Sequence, residues 1–122
     1  MENYKKTIGS FGEGLAKKFL IKRGYKILAS NLRLKKLELD IVTSLGDKII
    51  FVEVKTRLSA NIGPAEDALK LSQIKDLKRA ISAYCFNKKI SPNNTRLDFI
   101  AVDLFRQQKC KGVPFKRSVI GT

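Results

Sequence analysis

The chain has 122 residues, enough for one compact domain with its own core and too few for two. Lys and Arg number 25 against 11 Asp and Glu, a formal net charge of +14 that points to a polyanionic partner, nucleic acid ahead of an anionic membrane surface. There is no histidine, and Cys85 and Cys110 stand far apart, so zinc-hydrolase chemistry, a histidine-based triad and a Cys-x-x-Cys redox centre have no residues to rest on.

Both cysteines read as ordinary reduced residues. Met1-Glu-Asn-Tyr-Lys-Lys leads into no apolar signal region, and the longest apolar run, Ile49–Val52, is too short to span a bilayer. A soluble, cytoplasmic protein with no membrane partner is expected, folded as a single domain over 1–122 with a basic tail from about Arg106.

In chain order, Ile8 to Arg23 has a helical pattern, with Gly24 as its C-terminal stop. Glu13 falls on the apolar face of that helix, between Gly9 and Ala16. An acid there is either a first-turn carboxylate favoured by the helix dipole or a residue with a role beside a metal. Tyr25–Ala29 reads as a short strand, and Asn31–Lys36 as a basic connection holding Arg33, Lys35 and Lys36.

Two apolar strands follow, Glu38–Leu45 and Lys48–Arg57, around a Gly46-Asp47 turn. A two-residue or four-residue loop there gives one register, with Asp40 opposite Glu53 and Glu38 opposite Lys55, and alternation places all four on one face. Two carboxylates about 5 Å apart repel by roughly 3 kcal/mol at an effective dielectric of about 20, so a divalent cation, a shared proton, or Lys55 and Arg57 must offset them. Oxygen ligands converging from two strands suit Mg²⁺ or Mn²⁺. The plainer alternative is a solvated strand face whose acids balance local lysines.

Ser59–Pro64 reads as a loop, and helical period returns with Ile74, Leu77, Ile81, Tyr84 and Cys85 on one face, Ser72 as N-cap, and Lys75, Lys78 and Arg79 on the other side. Lys88–Asn94 is a polar loop. Arg96–Phe105 is a largely buried strand, and an edge strand is expected near Val119. Tyr25, Phe86 and Phe105 read as core residues rather than base-stacking platforms. The order of elements predicts an α/β domain with a central mixed sheet flanked by helices.

The string Gly9-Ser-Phe-Gly12-Glu13-Gly-Leu-Ala16, with Gly24-Tyr25, Asn31-Leu-Arg33, Glu38-Leu-Asp40-Ile, Phe51-Val-Glu53-Val-Lys55-Thr-Arg57, Gly63, Lys75 and Arg96-Leu-Asp98, resembles the bacterial YraN family. The match runs from about Gly9 to Val102, and Phe-Val-Glu-Val-Lys-Thr-Arg is its most specific part. The resemblance implies a restriction-endonuclease-like fold, close to the Holliday junction resolvases, with a PD-(D/E)xK metal site. Asp40 would be the motif aspartate, Glu53 the second acid, Lys55 the motif lysine and Glu13 the helix acid. Leu37 departs from the family pattern, which has glycine there.

On this reading the chain is a Mg²⁺- or Mn²⁺-dependent nuclease. Asp40 and Glu53 hold the metal, Lys55 orients water or stabilises developing charge, and Glu13 completes the site. Arg33, Lys35, Lys36, Arg57 and Lys75 clamp phosphates, on DNA rather than RNA. Resolution of a junction would need a homodimer, since two sites must act on one junction. The alternatives are a structure-selective nucleic-acid binding protein with an idle nuclease site and a non-enzymatic assembly factor on RNA.

Overall fold

A computed structural model describes residues 2–57, 71–103 and 115–116. The elements are α1 (Glu2–Lys22), β1 (Lys26–Leu34), β2 (Leu37–Leu45), β3 (Lys48–Arg57), α2 (Leu71–Lys88), a 3-10 turn at Pro92–Asn94, β4 (Thr95–Asp103) and the two-residue β5 (Phe115–Lys116). The five strands form one sheet in the order β1-β2-β3-β4-β5. Pairing is antiparallel except between β3 and β4, which run parallel with α2 lying between them in sequence.

Alternation along the central strand assigns the helices to opposite faces. Ile50 and Val52 pack with Ile41, Ile100 and Val102 under Ala16 and Leu20 of α1. Phe51, between them, packs with Leu39, Val42 and Leu97 under Leu77, Ala80, Tyr84 and Cys85 of α2. Ile50, Phe51 and Val52 are all buried, so β3 is covered on both sides. Each such side chain contributes about 1.5–3 kcal/mol by leaving water. The Phe51 and Tyr84 rings meet edge to face at 5.5 Å, and buried Thr43 satisfies its hydroxyl on the Ile50 carbonyl at 2.9 Å.

The architecture is therefore α/β of the restriction-endonuclease-like class, a mixed sheet flanked by two helices, in the element order the sequence predicts. Several boundaries move. The first helix starts at Glu2, so Glu13 lies in its middle and the first-turn dipole account fails. Asn31–Leu34 belongs to β1 rather than to a connection, leaving Lys35 and Lys36 as the turn into β2. Ser72 lies inside α2, one residue after its first.

Tyr25 is buried, as expected, but Phe86 is 84 % exposed and is not core. It follows Cys85 on α2, one step past the face that the sheet covers. The expected loop at Ser59–Pro64, Phe105, Cys110, the basic tail and the strand near Val119 lie outside the described residues, apart from the Phe115–Lys116 pairing. No described helix is long and apolar enough to cross a membrane.

Candidate metal centre

The β2–β3 register is the predicted one: Leu45 pairs with Lys48, Val42 with Phe51 and Ile41 with Val52. Beyond Ile41 the ladder changes character. The Val54 N–H donates to the Asp40 carboxylate, at 2.9 Å to Oδ2, where a strand carbonyl would otherwise accept.

The cause is a kink shared by two strands. Leu37 and Leu39 pack toward α2, Ile41 toward α1 and Val42 toward α2 again, so alternation slips at Asp40. Opposite, Ala29, Leu32 and Leu34 pack toward α2, so β1 slips as well, around Asn31, which stands in the left-handed region at φ 52. Asn31 faces Asp40 in the register that links Ser30 with Ile41 and Leu32 with Leu39. Asparagine tolerates that backbone better than any β-branched residue. Strict alternation thus does not put Glu38, Asp40, Glu53 and Lys55 on one face. Glu38 falls between two residues turned toward α2 and is exposed, whereas Glu53 shares its parity with Phe51 on the α2 side.

The kink brings Asp40 and Glu53 together all the same. Their carboxyls share a hydrogen bond. Burial first, then the Asp40 charge and that hydrogen bond, push the Glu53 carboxyl up to about 9, against the opposing charge of Lys55. Asp40 is also raised by burial, while the Val54 N–H and Glu53 hydrogen bonds and Lys55 pull it back. Near neutral pH Glu53 keeps the proton and Asp40 accepts it. The raised Glu53 carboxyl and its hydrogen bond with Asp40 are what a shared proton would produce, with Lys55 opposing the rise.

One buried oxygen, Glu53 Oε1, has no hydrogen-bond partner. An unsatisfied buried oxygen costs about 1–3 kcal/mol. The pair borders a pocket of about 210 Å³, walled by Lys36, Leu37, Glu38, Asp40 and Glu53 from the sheet and by Gln73, Asp76 and Leu77 from α2. Leu37, the departure from the family pattern, thus packs under α2 and lines this pocket without displacing either acid.

Glu13 is half-buried on α1, close enough to Asp40 for that charge, after burial, to raise its carboxyl, while a hydrogen bond with Asn31 and the Lys17 charge oppose the rise. Its helix can come this close to β3 because position 12 is glycine: a Cβ there would collide with Thr56 Oγ1. Asn31 is the residue that the sequence reading left without a role. Its signal was an asparagine inside an alternating strand, the residue type most at home at positive φ.

Among the residues expected to clamp phosphates, Lys36 lines the pocket, Lys35 occupies the turn at φ 60, and Arg33 is exposed beside Glu38 in register. Lys75 is exposed on α2, and Arg57 ends β3 beside Asp103. The arginine fork in the structure goes elsewhere. Arg96 donates Nε and Nη2 to the two oxygens of fully buried Asp98, each at 2.8 Å, and Nη2 also reaches the Tyr25 hydroxyl at 3.2 Å. Among the described residues, no guanidinium clamps Asp40 or Glu53.

The residues present fit a hard divalent ion in part. A buried carboxyl pair with an unpartnered oxygen is an all-oxygen donor set of the kind a hard cation takes. No group of three or more Asp, Glu or Cys converges among the described residues. Two carboxylates with water and phosphate oxygens completing the shell is the manner in which Mg²⁺ is commonly bound.

The profile described as "Uncharacterised protein family UPF0102", the YraN family, matches residues 12–102, and the chain belongs to that family. It is 35% identical to a UPF0102 protein of Clostridium novyi (strain NT) over 104 residues, covering 85% of this chain and 87% of the relative. A UPF0102 protein of Caldanaerobacter subterraneus subsp. tengcongensis is 37% identical over 100 residues, 82% of each chain. One of Syntrophomonas wolfei is 44% identical over 79 residues, 65% of this chain and 69% of the relative.

Proposed function

We propose that this protein is a Mg²⁺- or Mn²⁺-dependent nuclease that hydrolyses phosphodiester bonds in nucleic acid, with branched DNA as the leading substrate and the cytoplasm as its place of work. The observation that carries the proposal is the buried Asp40–Glu53 carboxyl pair, hydrogen-bonded to each other with one buried Glu53 oxygen left unpartnered.

Asp40 and Glu53 would hold the ion, which when bound supplies Lewis acidity at the scissile phosphate and lowers the pKa of an attacking water. The Val54 N–H holds the Asp40 carboxylate by Oδ2 at the wall of the pocket. Glu53 gives up its bridging proton to solvent, turning a hydrogen-bond donor into a second anionic ligand. Lys55 donates to a phosphate oxygen as negative charge develops there. Glu13, steadied by Asn31, holds a water on the α1 side. Lys36 at the pocket and Lys35 and Arg33 beside it draw the phosphate backbone in.

The test compares cleavage of a four-way junction, a flap and plain duplex, with Mg²⁺ and with chelator, by the wild type, Asp40→Asn and Lys55→Ala. Metal-dependent cleavage lost in both variants is expected. Equal cleavage by all three proteins would sink the mechanism.

A second reading, a nucleic-acid binding protein with an idle site, draws on the lack of a third convergent ligand among the described residues and on the stable proton bridge. It predicts salt-sensitive binding without cleavage and no acid-dependent uptake of Mn²⁺.

A further inference from the structure

Along α2, Lys75, Arg79, Ser82 and Phe86 recur at intervals of three and four residues and therefore form one row, and each is exposed. Lys89, also exposed, follows the last helical residue. Lys78 flanks the row and is exposed. The single acid of this helix, Asp76, stands 3.7 Å from Arg79 in an exposed pair. The opposite face, Leu77, Ala80 and Tyr84, is buried on the sheet. Gln73, Asp76 and Leu77, which line the pocket, fall on a different face of α2 from Lys75 at about 100° per residue, so the row runs along the solvent side of the helix.

A lone exposed apolar side chain is ordinary and by itself says nothing. Phe86 differs by its setting: a ring that is 84 % exposed, in line with Lys75 and Arg79 on the solvent-facing row of α2. From the geometry of this row we infer that α2 is a binding track for a nucleic-acid strand with unpaired bases, the cations holding phosphates and the Phe86 ring stacking on a base. The inference takes its nucleic-acid partner from the function proposed above but needs no cleavage.

Lys75 and Phe86 are eleven residues apart, about 17 Å along the helix, close to five stacked nucleotides at about 3.4 Å each. Bases in a duplex are already stacked on both faces. An aromatic ring therefore gains from a flap, a gap or an opened junction arm and gains little from plain duplex. A membrane surface fits less well, because α2 commits its apolar face to the sheet and offers one aromatic residue where an interfacial helix needs a stripe.

The experiment measures binding of a labelled oligo-dT, of a blunt duplex of equal length and of anionic phospholipid vesicles, all in chelator so that hydrolysis plays no part. Phe86→Ala is expected to weaken oligo-dT binding roughly 5- to 150-fold, the effect of losing one stacked base, and duplex binding less than about twofold. Phe86→Tyr is expected to retain the wild-type affinity. The protein has no tryptophan, so Phe86→Trp introduces a sole reporter whose fluorescence should be quenched by oligo-dT and not by duplex. Lys75→Gln with Arg79→Gln is expected to weaken both nucleic acids and flatten the salt dependence.

Equal affinity of wild type and Phe86→Ala for oligo-dT, equal losses on both nucleic acids, or a wild type that binds neither overturns the inference. A Phe86→Ala defect confined to vesicles overturns it in favour of a lipid surface. If the tracking holds while Asp40→Asn and Lys55→Ala leave cleavage unchanged, the proposed hydrolysis fails and the strand track stands.

Discussion

The Asp40 carboxylate accepts the Val54 backbone N–H at 2.9 Å, a side chain standing in for a ladder bond at the point where β2 departs from β3. That bond orients the aspartate toward Glu53, and it exists because β1 and β2 kink together at Asn31 and Asp40. Replacing Asn31 by valine, which tolerates φ 52 poorly, should cost about 1–2 kcal/mol and weaken metal uptake while leaving β4 pairing intact. Calorimetric Mn²⁺ titration beside a denaturation curve checks both.

The protonated Glu53 sets a pH dependence of the metal-free protein. Its ordinary value is 4.5 and its folded value about 9, so across that window the unfolded chain has released a proton that the folded chain keeps. Stability from this group is therefore fully present below pH 4.5 and is lost as pH rises toward 9, and Asp40, also raised, acts in the same direction. Glu53→Gln keeps a donor for Asp40 and removes the titration. It should melt higher than wild type at pH 8.5, by on the order of 1 kcal/mol or more, with a smaller difference at pH 5.5. Parallel melting curves across pH would count against the shared proton.

Metal uptake must displace that proton. Mn²⁺ affinity should rise with pH toward 9, by up to about tenfold per unit. Titrations in buffers of different ionisation heat should show close to one proton released per ion. Asp40→Asn and Glu53→Gln should each abolish the release.

Gly12 lets α1 approach β3, and a methyl group there meets Thr56. Gly12→Ala should cost about 1–3 kcal/mol by overpacking, and Thr56→Ala in the same chain should return much of it. Urea denaturation of the two single variants and the double closes the cycle. Additive losses would show that the two positions do not touch.

The Arg96–Asp98 fork, tied to Tyr25, is a structural clasp at the end of α1. Asp98→Ala strands a partly buried guanidinium and should cost roughly 3–5 kcal/mol. Changing both partners together to apolar residues should cost far less. Equal losses in the single and double variants, again by denaturation, would place the energy in packing instead.

The helix ends tell how much local sequence can say. Both helices finish with paired C-terminal bonds, Tyr25 N–H to Leu20 and Gly24 to Ile21 in α1, Ile90 to Cys85 and Lys89 to Phe86 in α2. The first end was legible because Gly24 supplies the left-handed residue at φ 93. The second was legible as a polar loop from Lys88, but not its geometry, because Lys89 takes the left-handed role at φ 58 without the chemistry that advertises it.

What the sequence determined by itself was the β2–β3 register, the two helices and the order of elements. Each follows from local rules: a short turn at Gly46-Asp47 fixes which residues face each other, and apolar periodicity fixes which side is buried. Only the tertiary structure decided that Asp40 lies at a slip in alternation, that Asn31 supports it from the neighbouring strand, and that Phe86 stands in water at the end of a cationic row. Those features arise when three strands and two helices compete for the same space, and a pattern read along one strand or helix carries no term for what its neighbours leave uncovered.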